Sequence, residues 1–178
     1  MRLLSPPRKI GFALYKLLCK AVYRIDHRTY MKLYLPLLRW RGVKLNGTPR
    51  YIGVHTVFDD CRRIEIGDRV TISDECHLLT HDYSITNAFR AVGKELPADI
   101  AIVRGIHIGN NVFIGKKAIL MPNCTIEDNC IIGAGAVVRG HIPKDSLVIG
   151  NPGEIIGSVT ALAEKWEGLD PEQIRLDS

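Results

Sequence analysis

Six histidines and five cysteines are the side chains of this 178-residue chain that could do acid–base, nucleophilic or metal chemistry near neutral pH. An imidazole titrates close to physiological pH, so it can accept a proton, return it, or ligate a metal while neutral. His81 lies in the run Leu79-Thr80-His81-Asp82, and His55 precedes the carboxylate pair Asp59-Asp60. His77, His81 and His107 are the trio that could hold zinc with an open coordination position, as a hydratase would need. The cysteines read differently. Their number is odd and their spacing follows no framework, which argues against disulfides and for a reducing compartment. Cys76, Cys124 and Cys130 fall on inward positions of a six-residue repeat, as small buried hydrophobes.

That repeat is the element that must position the rest. From Ile108 onward an aliphatic residue recurs every six: Ile108, Ile114, Leu120, Ile126, Ile132, Val138. Four places after each comes a smaller or aliphatic residue: Val112, Ala118, Cys124, Cys130, Ala136, Ile142. Neither a helix nor a half-buried strand has a period of six. A triangular coil does: three hexapeptides make one turn, and the anchors fill the prism. Ile108, Ile126 and the aliphatic stem of Lys144 should then stack, roughly 4.8 Å apart. Gly109, Gly115 and Gly133 should serve tight corners, and Asn123 and Asn129 should take left-handed conformations there. Upstream, Ile66-Gly67 pairs with Val70 and Ile72 with Cys76. Ile52-Gly53 and Phe58 continue the series, with two extra residues near Arg62–Ile64.

Between Leu79 and Ile106 the period breaks, which predicts a protruding loop over 80–105. Residues 8–25 carry a helical apolar face of Ile10, Leu14, Leu17, Leu18, Ala21, Val22 and Ile25. A second helix over about 28–41 should be interrupted by Pro36 and stopped by Gly42. Ser158 and Gly168 bracket a short C-terminal helix. The layout is a basic helical segment 1–45, a repeat domain 46–157 and a C-terminal helix and tail 158–178. Composition fits one soluble globular domain, 46% hydrophobic and 24% charged. Charge is uneven: residues 1–50 hold twelve Lys or Arg against the single acid Asp26. Such an arm suits a phosphate-bearing substrate or an anionic membrane surface rather than nucleic acid. Lys16 and Lys20 interrupt the N-terminal apolar stretch, so neither a signal peptide nor a spanning helix is expected. The expected location is the cytoplasm, at the inner face of the membrane.

The run Gly105-Ile106-His107-Ile108-Gly109-Asn110-Asn111-Val112-Phe113-Ile114-Gly115 resembles the coil that follows the loop in hexapeptide sugar O-acetyltransferases. Ile132-Gly133-Ala134-Gly135-Ala136-Val137-Val138, Ile142-Pro143 and the closing Gly150-Asn151-Pro152 are similar to that family too, which includes galactoside, maltose and serine acetyltransferases. The resemblance covers about 46–157. It implies an all-β core wound as a left-handed parallel β-helix, with N-terminal helices and a short C-terminal helix. It also implies a homotrimer with sites between prisms, acetyl-CoA as co-substrate and no metal. The family's general base matches His81, which would take the proton of a sugar or glycan hydroxyl as it attacks the thioester. Asp60 matches an acceptor-contacting carboxylate, joined by Asp82 and Tyr83 at the loop entrance. Lys116, Ala134, Arg139 and Gly140 match coenzyme positions, with Lys144 a further cation for phosphate. Ile52, Glu154 and Gly157 depart from the family's ligand-contact residues.

Two other readings stay open. One is a zinc hydratase of the γ-carbonic anhydrase kind, although the spacing of His77, His81 and His107 does not match that family. The other is a non-catalytic β-helix scaffold, to which the departures at Ile52, Glu154 and Gly157 lend support. For the enzyme reading, the basic arm suggests a prism resting on anionic lipid and modifying a lipid-linked or polymer-precursor glycan.

Overall fold

The computed structural model describes residues 6–169, without the side chains of 6–10 and Phe12. Ile10 of the proposed apolar face and the tail 170–178 therefore lie outside the described residues. The chain folds as a left-handed parallel β-helix with three faces. Face one stacks Lys44–Leu45, Ile64–Ile66, Ile106–Ile108, Thr125–Ile126 and His141–Ile142. Face two stacks Tyr51–Ile52, Thr71–Ile72, Phe113–Ile114, Ile131–Ile132 and Ser146–Ile149, and the antiparallel strand Glu154–Ser158 closes it. Face three stacks Val57–Phe58, His77–Leu78, Ile119–Leu120 and Val137–Val138. Most strands are two residues long, so their hydrogen bonds run to the coils above and below, as from Phe113 N to Cys130 O at 2.9 Å.

The second residue of each pair points inward and forms a ladder. Ile66, Ile108, Ile126 and Ile142 fill face one; Ile52, Ile72, Ile114, Ile132 and Val148 fill face two; Phe58, Leu78, Leu120 and Val138 fill face three. Cys76, Cys124 and Cys130 are fully buried, as the repeat implied. One stack differs from expectation. Ile126 pairs with Ile142, and Lys144 is exposed. The corner Arg139-Gly140 is two residues shorter than its counterpart Met121–Cys124, so the last turn advances early and Ile142 takes the inward place.

The corner glycines also act differently from the expectation. Asn123 and Asn129 are left-handed, with φ of 67° and 58°, and so are Arg69, Glu75, Asn111, Lys117 and Asp145. The glycine after each anchor instead makes room for the next coil. A Cβ on Gly67 would sit 2.5 Å from the Gly109 carbonyl oxygen. Close coil-to-coil approach, and not φ, requires it.

Helix α1 spans Pro6–Tyr23 and α2 spans His27–Arg41. Asp26 caps α2 by accepting from the amides of Arg28 and Thr29, and Gly42 ends it at φ 103°. Pro36 does not interrupt α2. Its missing amide costs about 3 kcal/mol in a helix interior, and the burial of Leu35, Leu37 and Leu38 around it offsets that. α2 covers the open end of the prism: the Tyr30 hydroxyl donates to Ile52 O at 2.7 Å, and Met31 Sδ accepts from Ile52 N at 3.3 Å. Two edge groups of face two are satisfied in this way. The loop contains the ribbon His81–Asp82 with Ile102–Val103 and the helix α3, Ser84–Ala91, tied across by Thr86 and Ile100. Helix α4, Val159–Glu167, is capped by Ser158.

Ile126→Ala should lower stability by about 2–5 kcal/mol, while its outward neighbour Thr125→Ala should cost less than about 1 kcal/mol. Urea unfolding of the two variants checks this; equal losses would contradict the inward ladder.

Candidate active site

The site lies where the second coil opens into the loop, at the edge between faces three and one. Phe58 and Leu78 are paired neighbours on face three, so the residues that follow them leave the strands one above the other. Asp59 follows Phe58, and Thr80 and His81 follow Leu78. His81 Nδ1 lies 2.6 Å from Asp59 Oδ2. Thr80 is fully buried and donates to the same carboxylate oxygen from both its amide and its hydroxyl, each at 3.1 Å. Its hydroxyl also accepts from the Asp60 amide at 3.1 Å. Partial burial alone would push the Asp59 carboxyl up, but the bonds from His81 and Thr80 hold it below the ordinary carboxylate range. An ionised carboxylate can only accept, so Nδ1 carries a proton, and in the neutral ring Nε2 is the atom with the free lone pair. That is the tautomer a general base needs.

Around this dyad the structure sorts the other sequence candidates. Asp60 turns away from the imidazole, accepting from Arg62 N and pairing with Arg63 at 3.4 Å, so it caps the turn Cys61–Arg63. Asp82 accepts from the Ser84 amide at the start of α3. Bonds from the Ser84 side chain and amide and, more weakly, the charge of Arg139 hold its carboxyl low. Asp82 and Arg139 thus share the edge of His81, with Gly140 beside them. Tyr83 is exposed on the loop. Lys116 and Ala134 lie on a different edge, between faces two and three, and Lys116 is paired with Glu75 at 3.1 Å. Lys144 is on the edge between faces one and two, its amide donating to Glu127. One copy of the chain does not bring these groups together.

His77 is exposed on face three, and His107 lies on face one beside Glu65 at 3.6 Å. Neither joins His81. Among the described residues no three His, Cys, Asp or Glu side chains group as a metal would require. Sequence reasoning missed the pairing of Asp59 with His81, and a second dyad of similar build: His55 Nδ1 to Asp74 Oδ2 at 2.6 Å, on the edge above Lys116. The available signal was the register, since each carboxylate stands about one coil from its histidine. A groove of about 1230 Å³ runs along face two beneath α2, bordered by Arg28, Lys32, Arg50 and Arg69. It lies away from the His81 edge.

Comparison with known proteins agrees with this architecture. The family described as bacterial transferase hexapeptide (six repeats) matches residues 105–140. Protein CapG of Staphylococcus aureus is 36% identical over 130 residues, which cover 72% of this chain and 73% of that protein. The chain belongs to the hexapeptide-repeat transferase family. Galactoside O-acetyltransferase of Escherichia coli K12 is 33% identical over 104 residues, 58% of this chain and 48% of that enzyme. A solved structure, galactoside acetyltransferase in complex with coenzyme A, superposes with a TM-score of 0.58 at 21% identity. It covers 94% of this hexapeptide-repeat chain and 90% of its own. The chain spans between about a third and a half of the first curated relatives it matches, at 34%, 48% and 52% of their lengths.

Because the Asp59 carboxyl is held low in the fold, its contribution to stability is complete above the unfolded value of about 3.9. It disappears as pH falls through the lower folded value. Asp59→Asn should therefore flatten the acid limb of the stability–pH curve, checked by urea unfolding at stepped pH. An unchanged limb would mean that the Asp59 carboxylate gains nothing from His81 and Thr80.

Proposed function

We propose that this chain is an acetyl-CoA-dependent O-acetyltransferase acting on a hydroxyl of a sugar or glycan precursor, with His81 as general base. The observation that carries the reading is the 2.6 Å bond between His81 Nδ1 and Asp59, which makes Nε2 the accepting atom of the neutral ring at the mouth of the loop. A sugar hydroxyl is a poor nucleophile near neutral pH, so transfer needs a group that takes its proton as the oxygen attacks. His81 Nε2 does that, and Asp59 stabilises the imidazolium that forms. The same imidazolium then returns the proton to the departing sulfur. Acetyl-CoA supplies the activated acetyl group. The edge at Ala134-Gly135 fits its slender arm: the side chains are small, Gly135 has φ 71°, and both residues are exposed. Lys116, Arg139, Gly140 and Lys144 are the further coenzyme candidates, and Asp60, Asp82 and Tyr83 the acceptor ones.

His81 and Ala134 stand at opposite edges of face three, so we infer that the complete site forms between copies of a homotrimer. The outward ladder of face two supports a covered surface, since Tyr51, Phe113, Ile131 and Leu147 line up along it. The named activity of the galactoside O-acetyltransferase, and the coenzyme A in the solved acetyltransferase, support the donor and acceptor classes. Residues 1–45, 46–157 and 158–178 are proposed as arm, catalytic domain and tail. The basic arm supports peripheral contact with an anionic membrane at the cytoplasmic face. No described helix is long and apolar enough to cross one.

His81→Ala should lower kcat by about 10²–10⁴-fold with unchanged far-UV circular dichroism, and Asp59→Asn should lower it less. A donor-and-acceptor screen following free CoA release measures both. Full turnover by His81→Ala would refute the assignment, and no detectable CoA binding by calorimetry would favour a scaffold.

A further inference from the structure

The most apolar side of α1 is not the side that packs. Tyr15, Cys19, Val22 and Tyr23 turn toward α2 and the prism. Leu14, Leu17 and Leu18 are 62%, 64% and 50% exposed, and Ile25 just beyond the helix is 86% exposed. At helical spacing the three leucines form one stripe, with Lys20 and Arg24 following it along one flank, while Lys16 is half-buried near Arg41. A continuous apolar stripe left in water is unfavourable unless something covers it. The charge indicates what does, because the first fifty residues carry twelve cations and one acid. A second copy docking through the same stripe would set two basic segments against each other. An anionic bilayer offers hydrocarbon to the leucines and phosphate to the flanking cations.

We propose that α1 lies in the interface of an anionic phospholipid bilayer and thereby presents the His81 edge to a membrane-anchored glycan. α1 packs on α2, and α2 packs on the turn Cys61–Arg63, which directly follows Asp59-Asp60. The dyad joins the first two coils at this same end of the prism, one to two helix layers, roughly 10–20 Å, below the lipid-facing stripe. The first sugars of a lipid-anchored chain reach that depth, whereas a free sugar gains nothing from the arrangement. The acceptor part of this inference rests on the proposed acetyl transfer; the docking part does not.

Vesicle co-sedimentation of the full chain tests the docking. The protein should bind vesicles of phosphatidylcholine containing about a third phosphatidylglycerol and release as salt rises. The variant L14Q/L17Q/L18Q should lower the bound fraction about tenfold, with its oligomeric state and its transfer to soluble methyl galactoside unchanged. The two tryptophans report orientation, since Trp40 is in the last turn of α2, which packs on α1, and Trp166 is in α4, which follows the strand at the opposite edge of face two. Brominated lipid should quench Trp40 in W166F and leave Trp166 in W40F unquenched. Equal binding by the leucine variant, quenching of Trp166, or conversion of the leucine variant to monomers would overturn the docking. A long-chain alkyl galactoside carried in the vesicles should show a lower KM than methyl galactoside. Equal KM values, or transfer to neither with binding intact, would remove the acceptor claim and leave the docking. Loss of vesicle binding alone would leave the His81 reading untouched.

Discussion

Each coil of this protein is held by the coils on either side of it. A two-residue strand cannot hold its own conformation, because its amides and carbonyls find no partners within it. Stacking supplies those partners and, by the same step, sets inward side chains one strand spacing apart in a continuous apolar column. Ile108, Ile126 and Ile142 belong to one such column, fully or almost fully buried. Everything else follows from how regularly the coils stack. Gly67 is glycine because the next coil's backbone is too near for a side chain. Tyr30 and Met31 bond the edge of face two because the first coil has no coil above it.

The dyad is a consequence of that spacing. Asp59 leaves face three at the end of one coil, and Thr80 and His81 leave it at the end of the next, so stacking sets carboxylate and imidazole within a hydrogen bond. Buried Thr80 gives the carboxylate two further donors. The imidazole is therefore oriented by the coil beneath it, although it stands on the first strand of the loop's own ribbon. A second pair, His55 with Asp74, arises from the same stacking at the next edge round the prism. The separation of Ala134 and Lys116 from His81 has the same origin. A triangular section distributes consecutive corners to different edges of the prism.

Much of the architecture was legible in the residues. The period of six, its small partner four places on and its break after Leu79 correspond to the faces, the buried cysteines and the loop. Asn123 and Asn129 take the left-handed corners expected of them. Less was legible at the ends. Pro36 lies inside a continuous helix because packing on the prism outweighs its local cost. Lys144 lost its inward place to Ile142 because one corner is two residues short, and a strict period cannot register such a shortening. The apolar side of α1 was clear from spacing, but not that it would face outward.

For the candidate site, the sequence by itself determined that an imidazole stands at the exit from the coil, beside the acid Asp82. That much depends on period and residue type, which are local. Only the tertiary structure decided that Asp59, and not Asp60, orients the ring, and that Asp60 caps a turn instead. Only it decided that Arg139 belongs to the edge of His81 while Lys116 and Ala134 belong to another. Those choices depend on which residues come to lie above one another. The length of every corner sets that outcome jointly, and no single stretch of sequence contains it.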